Sequence, residues 1–325
     1  MEKMITLEDL TNVANENYLK FLKEGQVKSI LRNIGLFADH TIDNDVLILL
    51  QNPNATCVKR LTEWNFYKRN IKKNEKAIKI ISHHIYSNNL GGKEKDGKIY
   101  VDGIEKLKVE VGYVFDISQT EGKNYEYLNT NKENIAKYFD NVKNALEHTA
   151  KGYDFVYEDC AENYKIDKDN HKIIIKDGMT LGDTIDTLIR VVAEVALDAR
   201  RSYGISMEKN NKIHDIEIAG TVYAVNSKLG LDLPEFNFDE IQTWTDEDLN
   251  LFKSNLQKIR SASKQIIANV ENSVEYAVRN LAKEKSETKE EVKEETAVET
   301  ENIKEKVKST RTTRSKKKTS ESEVE

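Results

Sequence analysis

Val114-Phe115-Asp116-Ile117-Ser118-Gln119-Thr120-Glu121-Gly122 joins an apolar alternation to a run of polar turn formers. The alternation reaches back to Val109, so Val109–Ile117 reads as a strand and Ser118–Lys123 as the turn that ends it. Upstream, Ala77–Ser82 reads as a second strand, entered through the basic turn Lys72–Glu75. Asn88–Gly103, between the strands, holds Gly91, Gly92, Gly97 and Gly103 among charges, which suits an exposed loop with one hairpin. Thr62–Arg69, carrying Trp64, Phe66 and Tyr67, reads as a short helix or turn.

Helices flank this strand region. Thr6–Asn33 carries Val13, Tyr18, Leu19, Leu22 and Val27 near 3.6-residue spacing, and Thr6 with Asp9 forms a start signal. Asp43–Gln51 reads as a second helix, stopped by Asn52-Pro53-Asn54. Downstream, a helix over Asn131–Thr149 precedes two strands, Phe155–Glu158 and Lys172–Lys176, with Lys168–His171 as the turn before the latter. Thr180 opens an amphipathic helix with Leu181, Ile185, Leu188, Val192, Val195 and Ala199 on one face. Another helix covers Ile216–Leu229 and stops at Gly230. Pro234–Thr245 reads as a loop, and a last helix runs from Asp246 to about Lys283. The fold class expected is α+β.

The length of 325 residues suits two folded domains, placed at 1–128 and 129–283, followed by a charged tail over 284–325. That tail is almost only Glu, Lys, Ser, Thr and Arg and lacks aromatics, a composition expected to stay disordered. Its basic stretch Arg311–Lys318 suits a solvating tail or a weak attraction for nucleic acid. No stretch approaches the roughly 18 apolar residues of a membrane span, so no membrane partner is expected. Met1–Leu10 lacks a signal or transit pattern, which makes a cytoplasmic protein the default. Two cysteines, Cys57 and Cys160, are too few for a disulfide framework.

The net charge of −6 conceals an uneven distribution. Residues 1–125 hold 19 basic and 17 acidic side chains, 126–283 hold 20 and 27, and 284–325 hold 11 and 12. Within 56–82, eight bases (Lys59, Arg60, Lys68, Arg69, Lys72, Lys73, Lys76, Lys79) face two acids, Glu63 and Glu75. A basic patch in an acidic protein attracts polyanions. Single-stranded nucleic acid needs such a groove plus aromatic faces for its bases. Trp64, Phe66 and Tyr67 interleave with Lys59, Arg60, Lys68, Arg69, Lys72, Lys73 and Lys76 in this way. Composition alone favours the plainer alternative, with Trp64 and Phe66 in the core and the lysines as a solvated face.

Four segments, in order, shift that balance: Gln51-Asn52-Pro53-Asn54-Ala55-Thr56, Trp64, Lys72-Lys73-Asn74-Glu75-Lys76-Ala77 and Val114–Gly122. Together they resemble the N-terminal domain of the ArdC antirestriction family and its LtrC-like relatives on conjugative elements and phages. Members carry Gln-x-Pro-x-Ala-Thr, a tryptophan, a "KKGEKG" turn and a "VFDVSQTEG" strand end. The resemblance covers roughly residues 10–125, with Asn74 and Ala77 standing where the family has glycine. It implies a single-stranded DNA-binding domain and leaves open which aromatics stack. Gln119 and Glu121 read as structural, fixing the strand end by hydrogen bonds.

In the same family the second domain is zincin-like and carries "TLIHEIAH". There, two histidines at i and i+4 face one metal, and the glutamate between them is the general base. This chain has Thr187-Leu188-Ile189-Arg190-Val191-Val192-Ala193-Glu194 after the matching lead-in Ile175–Thr180. Arg190 and Glu194 take the histidine positions, Val191 takes the base, and Ala219 takes that of a downstream glutamate ligand. All four functional positions differ, so no metal, no cofactor and no peptidase activity is expected. An i,i+4 pair between Arg190 and Glu194 is expected in the metal's place. Glu194 with Glu217 is conceivable as an oxygen site, but without imidazole it would not make a zinc peptidase. The resulting reading is a non-catalytic single-stranded DNA-binding protein of a plasmid or phage that protects its DNA against host defence. The rival is a protein-interaction module, a pseudo-peptidase scaffold that grips a host defence protein.

Overall fold

The computed structural model describes residues 6–87, 93–95, 98–100, 105–125, 131–198, 207–235 and 248–281. The expected 284–325 tail and most of the expected Pro234–Thr245 loop lie outside them. The fold is α+β.

The helix expected over Thr6–Asn33 is two helices, α1 (Leu7–Lys23) and α2 (Val27–Leu36). Gly25 breaks them: its φ of +67° is open to glycine at no steric cost. The Gln26 N–H bonds to the Phe21 carbonyl at 2.8 Å and the Gly25 N–H to Leu22 at 3.3 Å, which closes α1 as a Schellman turn. At the other end Thr6 and Asp9 form the reciprocal cap that the sequence announces. Helix α3 (Ile42–Gln51) follows, capped by Thr41.

The strand region comprises β1 (Val58–Lys59), α4 (Leu61–Phe66), β2 (Arg69–Ile71), β3 (Ile78–Ser87), β4 (Lys93–Lys95), β5 (Lys98–Tyr100), β6 (Glu105–Asp116) and β7 (Thr120–Gly122). A short 3₁₀ turn, Ile117–Gln119, separates β6 from β7. Strands β1, β6 and β3 form an antiparallel sheet in that order, β2 pairs with β7, and β4 with β5 makes the hairpin. Among the described strands β3 is an edge of its sheet, and α3 covers it chemically. The Asn44 amide bonds both the N–H and the carbonyl of Ile81 at 2.8 Å, and the Gln51 amide does the same for Lys79 at 2.9 Å. Seven residues apart on a helix, these two amides lie on one face and meet alternate residues of the strand. They satisfy edge groups that would otherwise be free to pair with another chain.

Downstream lie α5 (Lys132–Lys137), α6 (Phe139–Thr149), β8 (Asp154–Glu158), β9 (Tyr164–Asp167), β10 (Lys172–Lys176), α7 (Leu181–Asp198) and α8 (Met207–Leu229). Strand β10 sits between β8, to which it is parallel, and β9, to which it is antiparallel. A helix that begins at residue 249, here α9, contributes its residues up to 274 to one compact unit with everything before it. Of the second unit, 275–325, only residues 275–281 are described, and they are helical.

Within residues 6–274 the core crosses the boundary expected at 128/129. Ile30, Leu31 and Ile34 of α2 share one apolar cluster with Ile216, Ala219 and Tyr223 of α8 and with Phe252, Leu256 and Ile259 of α9. A Cβ at Gly35 would sit 1.9 Å from the Ala224 carbonyl oxygen, so glycine permits the close crossing of α2 and α8. Arg260 of α9 is buried against Asp45 of α3 and donates to the Phe37 and His40 carbonyls just past α2. Among the described residues no helix is long and apolar enough to cross a membrane.

Candidate nucleic-acid interface

The stretch Asp116–Thr120 ties three segments together. Buried Asp116 accepts the Thr56 and Cys57 N–H groups at 2.8 and 2.9 Å on Oδ1. On Oδ2 it accepts the Ser118 N–H at 2.9 Å and hydroxyl at 2.6 Å. Gln119 accepts the Asp116 N–H at 2.9 Å and donates to Glu75 Oε2 and the Lys76 carbonyl at 2.9 and 2.8 Å. A carboxylate satisfied by four donors and an amide with three partners make a rigid knot, because each bond restricts a different segment. The loop at 56–57, the basic turn at 72–76 and the end of β6 are thereby fixed together. The expected structural role of Gln119 is what its bonds display.

The basic turn keeps its shape without glycine. Asn74 adopts φ +67°, a conformation that asparagine tolerates better than most residues. Lys73 and Lys76 are exposed on it, and Lys68 is exposed just before β2. Other bases of the patch are engaged in the fold. Arg69 donates Nε to the Thr120 hydroxyl at 2.8 Å and its two Nη groups to the Lys123 and Thr120 carbonyls at 2.6 and 3.0 Å. Lys72 Nζ donates to the Ser118 carbonyl at 2.7 Å, and Arg60 Nη2 to Ser82 Oγ at 2.6 Å.

Trp64 corrects the sequence-based expectation. It is fully buried, and its Nε1–H donates to the Phe115 carbonyl at 2.9 Å. A ring so enclosed has no face to offer a base; α4 uses it to anchor against β6. Phe66, two residues on, points the other way and is 80% exposed, with Tyr67 beside it 38% exposed. Their rings meet edge-to-face at 5.3 Å. Tyr67 in turn meets Tyr125 at 4.7 Å, and Tyr125 packs on Trp64 at 5.3 Å, so the outer rings rest on the core through Tyr125. Lys59 Nζ lies 5.5 Å from the Tyr67 ring centre and 5.9 Å from that of Tyr125, within cation–π range. Tyr125 was absent from the sequence constellation because 58 residues separate it from Tyr67.

The four positions that the resemblance assigns to metal chemistry fall on α7 and α8. Arg190 is partly buried, Val191 and Ala219 are fully buried, and Glu194 accepts the Tyr164 hydroxyl at 2.7 Å. The expected Arg190–Glu194 pair is therefore replaced by a bond from β9. Burial and the neighbouring Glu194 together raise the Tyr164 pKa, and the Arg190 charge opposes them. Glu217 pairs with Lys258, Nζ to Oε1 3.1 Å. These residues do not fit a zinc ion: Arg190 is a cation, Val191 and Ala219 have no donor atom, and Glu194 is a single, engaged carboxylate.

No family model matches the chain, and no curated protein matches it. Among the solved structures similar to this chain are two of the antirestriction ArdC protein from plasmid R388. The metal-free structure is 15% identical over 73% of this chain and 85% of that chain, with a TM-score of 0.39. The Mn(II)-bound structure is 16% identical over 70% and 84%, with a TM-score of 0.42.

Proposed function

We propose that this protein binds single-stranded DNA, without catalysis, on the face formed by Phe66, Tyr67, Lys59, Lys68, Lys73 and Lys76. The observation that carries this reading is Phe66, a phenyl ring left 80% in water two residues before the exposed Lys68. Exposing so large an apolar ring forgoes roughly 1.5–3 kcal/mol of burial, which suggests a use for it. Base stacking is such a use, and Lys59 against the neighbouring Tyr67 ring is a cation for a phosphate. The sequence resemblance supports the same reading and supplies the setting, protection of a mobile element's DNA against host defence. At the vacated positions the chemistry of Arg190, Val191, Glu194 and Ala219 supports a domain that does not run the zinc-peptidase reaction.

Fluorescence anisotropy with a labelled oligonucleotide, single-stranded or in duplex, tests this across a salt series. Single strands are expected to bind more tightly, with affinity falling linearly in log salt by about 0.7 per phosphate contacted. Phe66→Ala is expected to weaken binding by roughly 1–3 kcal/mol, and Lys68/Lys73/Lys76→Ala to flatten the salt slope. Absence of binding at about 50 mM salt, or full affinity in Phe66→Ala, would refute the proposal and leave the face as a protein-docking surface.

A further inference from the structure

Tyr125 belongs to two places. Its ring meets Tyr67 on the outer platform, and it also lines a neighbouring cavity of about 440 Å³. Lys59 is shared in the same way, near both tyrosine rings and on the cavity wall. The volume falls within the roughly 300–1,000 Å³ typical of small-ligand sites. About half of its lining is apolar: Phe37 past α2, Val58 in β1, Ile117 after β6 and Ile267 in α9. The other half is polar, with Asp39 and Cys57 among its groups. It also includes Thr56, His40 and the ion pair Lys228–Glu271 at 3.4 Å. Burial lowers the His40 pKa to about 4, so its imidazole is neutral at pH 7 and brings one donor and one acceptor.

Resting on the single-strand reading above, we infer that this cavity receives one nucleobase turned off the stack that Phe66 and Tyr67 carry. A nucleobase has two apolar faces and a polar edge of mixed donors and acceptors, and the cavity pairs apolar walls with groups that donate and accept. Lys59 at the junction suits the phosphate that links the stacked base to the inserted one. The walls and the platform share Tyr125, so the two places are adjacent. Insertion also adds discrimination that stacking lacks. A paired base must break its pair to turn out, whereas an unpaired base has none to break.

The test uses the full chain and the shortest oligonucleotide that keeps full affinity, so that register is fixed. An abasic site is placed at each position in turn, and the same series is repeated with Ala268→Trp. Ala268 is exposed and lines the cavity, so the larger ring fills it without entering the core. One position is expected to stand out, with base removal there costing roughly ten-fold in affinity. In Ala268→Trp that position should lose its sensitivity while the others keep theirs. Equal losses at every position, or an unchanged pattern in Ala268→Trp, overturn the inference while leaving the platform intact. Failure of the unmodified oligonucleotide to bind overturns the single-strand reading instead.

Discussion

Trp64 and Phe66 lie two residues apart on one turn of helix and serve opposite ends. Trp64 is sealed under β6, where replacement by alanine would remove a large ring and its indole bond to the Phe115 carbonyl. Such a change in a core costs about 3–5 kcal/mol, so Trp64→Ala should lower the urea midpoint sharply and lose DNA binding only through unfolding. Phe66→Ala should leave that midpoint almost unchanged. Chemical denaturation of the two variants side by side separates the roles. A second residue-scale expectation concerns pH. His40 is held neutral by burial, with Arg260 adding to the effect, and its pKa is about 4 in the fold against 6.5 when free. The unfolded chain therefore takes up the proton first as pH falls. The neutral imidazole's contribution is complete above about pH 6.5 and is lost progressively down to about pH 4. The loss is on the order of 3 kcal/mol. Denaturation of His40→Asn from pH 7 to 4.5 should show a flatter pH dependence than the parent, and parallel curves would discount the effect.

At the scale of elements, much was legible because it is written in period. Val109–Ile117 and Ala77–Ser82 alternate, and they pair as β6 and β3. The Thr6 start signal and the Gly230 stop stand where expected, the latter at φ +65°. Gly25 was not read as a break, because a single glycine leaves the helical spacing of Tyr18, Leu22 and Val27 undisturbed. Strand β9 was missed because Tyr164-Lys165-Ile166-Asp167 is too short to establish a period. Nor does a six-residue helix reveal which of Trp64 and Phe66 turns inward; that depends on β6, about 50 residues on. The amide pair of α3 was equally hidden, since nothing local marks Asn44 as a partner for Ile81. Its weight can be measured. Asn44→Ala strips both backbone partners from buried Ile81 and should cost about 2–4 kcal/mol, at roughly 1–2 per unsatisfied group. Hydrogen exchange should show β3 opening first in this variant. Protection unchanged at Ile81 would mean that the edge is held by something other than α3.

At the scale of the molecule, the sequence invites a cut near residue 128, where the resemblance ends and the charge changes sign. The core does not stop there. Ile30, Leu31 and Ile34 meet α8 and α9 in one cluster, Gly35 lies against the Ala224 carbonyl, and Arg260 reaches Asp45 and the carbonyls past α2. A fragment of residues 1–128 would present those side chains to water and strand Asp45, a fully buried carboxylate, without its guanidinium. Breaking a buried ion pair costs about 3–5 kcal/mol by itself, a large part of the roughly 5–15 kcal/mol that holds a domain together. The fragment is therefore expected to be unfolded or aggregated, whereas residues 1–274 should unfold in one cooperative step. Circular dichroism with thermal denaturation of both pieces decides this. A monomeric 1–128 fragment with a sharp transition would show that the strand region is stable alone, and that α8 and α9 only brace it. An unfolded fragment would give the downstream helices a structural role: they complete the core on which the Phe66–Tyr67 face is mounted.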